Sequence, residues 1–235
     1  MTDAAVRKIL FSEDYSLCLL TVDWHVKSRP GQFVMLKVGE WPVVPRPISI
    51  CTQDDGAGTT TFLIRRKGLL WGQLLRLQPG ATVQIKGPLG NGFPEAVSPV
   101  LVGGGCGVAP LLFMAATRPV SGFYAGVASD VEQAFLAPLL PAGTVVTVNP
   151  QLVTDAFLSA RSAGPVFACG PSPMLRVLVD HYQGGSVFVS LEERMACGEG
   201  ICEGCPVRRK DGSVALVCSD GPVFAAGEVS WTWQD

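Results

Sequence analysis

Four cysteines fall within 22 residues, as Cys197-x4-Cys202-x2-Cys205-x12-Cys218, and no other feature of this 235-residue chain restricts the local backbone path so tightly. A short loop must turn three thiols inward while a return segment delivers the fourth, which neither a regular helix nor a regular strand can do. Gly198, Gly200 and Gly204 lie between the first three cysteines. They supply the backbone freedom such a loop needs, and amides released from secondary structure can donate to sulfur. The opening C-x4-C-x2-C spacing matches the plant-type 2Fe–2S pattern, although the last gap is shorter than in plant ferredoxins. Two other readings stay open at this point: a closed four-Cys zinc site, and a redox dithiol at Cys202 and Cys205. Structural zinc more often takes paired short spacings, so the spacing favours the cluster. Cys18, Cys51 and Cys106 lie elsewhere and are expected to be buried small hydrophobes.

Composition narrows the class further. The chain is 48% hydrophobic and 16% charged, with 18 Lys+Arg against 20 Asp+Glu. That excludes a disordered chain and supplies no basic excess for nucleic acid. The length allows one large domain or two to three small ones with a real core. So little charge also suggests apolar surface to be covered by a partner subunit. Met1 to Phe11 carries Asp3, Arg7 and Lys8 and has no apolar stretch of signal-peptide length, so a cytoplasmic location is expected. Ala96 to Thr117 is uncharged and long enough to cross a bilayer. Pro99, Gly103, Gly104, Gly105, Gly107 and Pro110 argue against that, because breakers leave backbone groups unsatisfied in lipid. A strand, a glycine loop and a helix from about Pro110 are expected there, with no membrane span.

From Val6 to about Ile85 the pattern is short β-type runs broken by turns: Ser16 to Val22, Gly31 to Val38, Ile48 to Thr52, Thr59 to Arg65 and Thr82 to Ile85. This predicts a small antiparallel barrel over residues 1–96. Residues 97–189 alternate strand and helix. Val100 to Val102, Gly122 to Val127, Val145 to Val148 and Val166 to Ala168 each precede a helical stretch, near Pro110, Val131, Thr154 and Ser172, which predicts a parallel, Rossmann-like α/β sheet. Residues 190–235 form a third, small module around the cysteines. The fold class expected is thus a multidomain α+β chain.

Two turns carry a nucleotide signal. Gly103, Gly104, Gly105 and Gly107 lie between the first strand of the α/β region and its helix, where backbone N–H groups can reach a pyrophosphate. Such turns also occur without a ligand. Cys169-Gly170-Pro171 ends another strand at the same carboxyl edge, where open α/β sheets bind ligands. No Lys or Arg falls between Arg118 and Arg161 to pair with a 2′-phosphate, which favours NAD over NADP. In the barrel, Arg46-Pro47-Ile48-Ser49 sets a guanidinium and a hydroxyl at a strand start, suited to a diphosphate and a flavin or ribose group. Alone, Arg46 reads equally well as an exposed strand charge. Gly87 to Phe93 is a turn-rich crossing between the two regions, a linker or the bed of an extended flavin.

Together these segments resemble the ferredoxin-reductase-like flavoproteins, and more narrowly the electron-transfer subunits of class 1B, NAD-dependent dihydroorotate dehydrogenases. Arg46 to Ser49 matches that family's FAD motif, and Gly87 to Phe93 its Gly-Pro-Leu-Gly-Asn-Gly-Phe segment. Gly103 to Leu111 and Cys169 to Leu175 match its pyridine-nucleotide turns, and Glu192 to Gly198 with Val217 to Phe224 its cluster region. The resemblance implies FAD, NAD and a 2Fe–2S cluster held by Cys197, Cys202, Cys205 and Cys218. It also implies electron relay without an acid–base residue, Cys169 near the nicotinamide, and an FMN-containing catalytic partner in a heterotetramer of two plus two. By alignment Leu63, Ile64, Arg65, Leu70 and Trp71 fall at a second FAD segment, Leu70-Trp71 near the family's usual Gly-Thr. Glu199 and Glu203 stand where small or apolar residues are common, and extra negative charge there should lower the cluster's potential. His25 and His181 form no triad or metal pattern, and the dihydroorotate site is expected in the partner.

Overall fold

The computed structural model describes residues 1–182 and 184–231; residues 232–235, the end of the expected third module, lie outside them. Strands β1 (Thr2–Phe11), β2 (Leu17–Asp23), β3 (Phe33–Lys37), β4 (Arg46–Asp54), β5 (Thr59–Arg65) and β6 (Thr82–Leu89) close an antiparallel barrel in the order β1-β2-β5-β4-β3-β6. Residues of period two fill its interior: Cys18, Leu20 and Val22; Val34 and Leu36; Phe62 and Ile64; Val83 and Ile85. The intervening Leu17, Leu19 and Leu63 are buried as well, in a second cluster with Leu101, Val108 and Leu111. This explains why Leu17 to Leu20 of β2 reads as an unbroken apolar run: one face lines the barrel and the other meets the next domain. A short helix, α1 (Gly68–Leu74), is not foreseen by the sequence, because Gly68 and Gly72 depress its propensity. Burial of Leu70, Trp71 and Leu74 against the barrel core holds it.

The expected parallel sheet follows, from β7 (Val100–Gly104), β8 (Gly122–Val127), β9 (Val145–Val148), β10 (Val166–Cys169) and β11 (Val187–Ser190). Helices α2 (Val108–Thr117), α3 (Asp130–Leu136), α4 (Val153–Ser159) and α5 (Ser172–His181) alternate with them. The cysteine segment adds a hairpin of β12 (Pro206–Arg208) and β13 (Val214–Leu216), then β14 (Val223–Ala225), which pairs antiparallel with β11. The six-stranded order is β14-β11-β10-β7-β8-β9. After β9 the chain returns to the far side of β7, so strand order reverses between β7 and β10. That reversal opens a crevice at their carboxyl ends, where open α/β sheets take ligands.

Ala96 to Thr117 resolves into the end of a connection, β7, a tight turn and the ten-residue α2. No described helix is long and apolar enough to cross a membrane.

Candidate functional site

The two predicted nucleotide turns meet at this crevice. Gly103 is in register with Cys169, and a Cβ on Gly107 would lie 2.1 Å from the Cys169 carbonyl oxygen and 2.7 Å from the Gly170 nitrogen. A Cβ on Gly104 would fall 2.7 Å from Met174 Sδ and 3.1 Å from Pro171 Cδ, and one on Gly103 2.9 Å from Val108 Cγ1. The absence of side chains at these three positions therefore lets α2 and α5 approach the strand ends. Gly105 is half-buried and left-handed (φ +55°), with the Arg65 guanidinium lying over it. Cys169 is 2% exposed, and burial raises its thiol well above the ordinary range, so it is a neutral group at physiological pH.

Arg46, Pro47, Ile48 and Ser49 are half-buried at the start of β4. Arg46 lines a cleft of about 440 Å³ together with Trp41, Leu69, Arg194, Met195 and Gly204. Among the described residues neither Arg46 nor Arg194 has an acidic partner. Two free cations beside apolar walls suit a flat group carrying phosphates. Further along, β4 packs on α2, the helix that leaves the crevice between β7 and β10.

Arg65 is engaged differently. Its Nη1 and Nη2 donate to the two carboxylate oxygens of Glu132 at 2.6 and 3.0 Å, across the boundary between barrel and sheet. Glu132 also accepts the Ala128 N–H at 3.0 Å. Burial opposes ionisation of Glu132, but Arg65 and the Ala128 amide outweigh it and hold the carboxyl below its ordinary range. Sequence reasoning missed Glu132 because Ser129-x-x-Glu132 reads as a helix capping box. Ser129 does cap α3, accepting the Glu132 N–H at 3.3 Å, whereas the glutamate side chain turns to the barrel. Of the other residues aligned with the second FAD segment, Ile64, Leu70 and Trp71 point into the barrel core and Leu63 into the barrel–sheet seam, leaving only their backbone for a ligand. Cys18 and Cys51 are buried as expected, whereas Cys106 is half-buried and stands beside Arg65.

The cysteine loop rests on the barrel. Backbone amides aim at its thiols: Gly200 N–H at Cys218 Sγ (3.1 Å), Glu199 N–H at Cys197 Sγ (3.4 Å), Cys202 N–H at Cys197 Sγ (3.5 Å) and Cys218 N–H at Cys205 Sγ (3.4 Å). The Glu199 and Cys202 amides bring the Cys197 thiol down to about 6, while burial pushes Cys218 up to about 12. A loop that already solvates sulfur in this way fits a thiolate-held cluster. Cys205 and Cys218 are buried and Cys202 is exposed near the loop tip, next to Ile201, which is 81% exposed. Glu199 is not a lone charge: Lys86 Nζ on β6 meets its carboxylate at 2.5 Å and the Cys197 carbonyl at 3.4 Å. Glu203 is exposed and left-handed (φ 52°). The Gly87 to Phe93 crossing serves this module too. Asn91 donates through its N–H to the Gly221 carbonyl and through Nδ2 to that of Asp220, and Phe93 stacks on Phe167 at 4.9 Å.

A closed barrel, a parallel α/β sheet with a crevice at its strand ends and a four-cysteine loop in one chain have the make-up of an FAD-binding oxidoreductase. Residues 6–93 match the oxidoreductase FAD-binding domain, and residues 192–230 the iron-sulfur cluster binding domain of dihydroorotate dehydrogenase B. The latter match sets aside the zinc and dithiol readings. Among solved structures, a chain of NADH-dependent reduced ferredoxin–NADP oxidoreductase shares the fold, with a TM-score of 0.85 at 23% identity over 99% of this chain and 91% of that one. The ferredoxin reductase of carbazole 1,9a-dioxygenase gives 0.62 at 18% identity over 76% and 65%. The electron transfer subunit of dihydroorotate dehydrogenase B (NAD(+)) from Bacillus caldolyticus is 39% identical over 96% of each chain. That of Listeria monocytogenes serotype 4a is 34% identical over 90% and 91%. The chain belongs to this family, the electron transfer subunits of dihydroorotate dehydrogenase B.

Proposed function

We propose that this chain passes electrons from an FMN-containing catalytic subunit, which oxidises dihydroorotate, through a 2Fe–2S cluster and FAD to NAD⁺. The observation that carries this reading is the place of β4. Its Arg46 end shares a cleft with the cysteine loop, and its length packs on the helix leaving the nucleotide crevice. FAD supplies the conversion between single electrons and a hydride. Arg46 and Ser49 hold its diphosphate and polar groups, with Pro47 and Ile48 flanking them and the backbone of Leu63 to Arg65 and Leu70-Trp71 alongside. Gly103, Gly104, Gly105 and Gly107, with Gly170 and Pro171, form the NAD crevice, and the neutral Cys169 thiol lies near the nicotinamide. Cys197, Cys202, Cys205 and Cys218 ligate the cluster. The corresponding domains are 1–96 for FAD, 97–189 for NAD and 190–235 for the cluster.

Dihydroorotate is oxidised in the partner. His25 is paired with Asp55 at the surface and His181 is bonded to the Val177 carbonyl, so neither is positioned as a substrate base. The partner covers the apolar tip of the cysteine loop at Ile201, in keeping with the low overall charge. Two copies of each subunit assemble, in the cytoplasm. Co-expression with a candidate FMN subunit should yield a brown complex that forms orotate and NADH from dihydroorotate and NAD⁺. A stable complex that reduces NAD⁺ from other donors but never from dihydroorotate would overturn the reading.

A further inference from the structure

We propose that Lys86 is a positioning residue for the cluster: it pins the Cys197 loop to the barrel and offsets the Glu199 charge, setting the cluster's potential. This rests on the reading of Cys197 as a ligand. Two observations converge on one patch. Lys86 Nζ is shared between the Glu199 carboxylate and the Cys197 carbonyl, with the lysine side chain 33% and the glutamate 42% exposed. Independently, Gly198 sits left-handed (φ +76°) against the same two strands, where a Cβ would lie 2.7 Å from Met35 Cγ and 3.0 Å from Leu89 Cδ1. Met35 and Lys86 are cross-strand partners in β3 and β6, so the steric seat and the ionic latch adjoin.

The chemistry gives the latch a sign. A 2Fe–2S cluster gains one negative charge when it is reduced, so a nearby cation favours the reduced form and a nearby anion opposes it. With Lys86 and Glu199 paired, the two effects largely cancel. Removal of either partner leaves the other acting on the cluster, with opposite outcomes. A lysine that served only to stabilise the loop would lack this reciprocity.

The test is an EPR-monitored redox titration of the flavin- and cluster-loaded chain. Lys86→Met should shift the reduction equilibrium about tenfold toward the oxidised cluster, 59 mV for a one-electron couple. Glu199→Gln should shift it toward the reduced form, and the double variant should return near the starting value. Lys86→Arg should leave the potential in place. If Lys86→Met fails to retain its cluster, the Glu199→Gln shift together with cluster retention in Lys86→Arg carries the same test. Shifts of the same sign in both single variants, or none in variants with full cluster signal, would overturn the proposal. Cys197→Ser separates the underlying reading: an unchanged cluster spectrum there would refute the ligand assignment and leave the Lys86 measurements standing on their own.

Discussion

The pair between Arg65 and Glu132 joins barrel to sheet, and its two halves should not be equivalent. Glu132 is 2% exposed whereas the Arg65 side chain is 37% exposed. Arg65→Met strands a buried carboxylate with one remaining donor, the Ala128 N–H. Breaking a fully buried pair in this way costs about 3–5 kcal/mol, and the partial exposure of Arg65 places the loss at the lower end, about 3 kcal/mol at pH 7. Glu132→Gln keeps an acceptor for the Ala128 amide, and the freed guanidinium can turn to water, so its cost is about 1 kcal/mol. The pH dependence follows. Glu132 is held below its ordinary value of 4.5, so its contribution is present above that value and is lost as pH falls through the lower, folded-state value. In Arg65→Met the Ala128 N–H is left as the one donor opposing burial, which raises the carboxyl, so the penalty is full at neutral pH and shrinks once the group is protonated. Urea unfolding of the flavin-loaded chain, followed by flavin release and far-UV circular dichroism at pH 7 and pH 4, measures both. Arg65→Met within 0.5 kcal/mol of the parent at pH 7, or Glu132→Gln costlier than Arg65→Met, would refute the reasoning.

Gly107→Ala places a methyl group into the Cys169 carbonyl, a backbone contact that no rotamer relieves, so NADH affinity should fall at least tenfold in equilibrium titration while the flavin spectrum persists. Gly198→Ala combines a left-handed backbone with a clash against Met35 and should lower iron content per chain, measured by chemical analysis, without loss of bound FAD.

Much of this is legible in the sequence, and the reasons for the gaps are specific. The barrel strands announce themselves by alternating interior residues, and the sheet by strand–helix alternation. The cysteine spacing and the two glycine turns needed no tertiary knowledge, and the turns do meet across β7 and β10. What escaped depends on distant partners. Lys86 is one outward residue of an alternating strand and reads as a solvated charge until Glu199 is folded onto it. Glu132 hides in a capping pattern. Helix α1 has poor intrinsic propensity and exists because the barrel buries Trp71, and β14 is three residues long, formed only because β11 offers an edge.

The relay itself is tested most directly by removing one ligand and following where electrons stop. In the assembled complex, Cys205→Ser should abolish the EPR signal of the dihydroorotate-reduced cluster and NADH formation from dihydroorotate, while NADH oxidation by ferricyanide through FAD continues. Undiminished NADH formation in a variant shown to lack the cluster would contradict the proposed path.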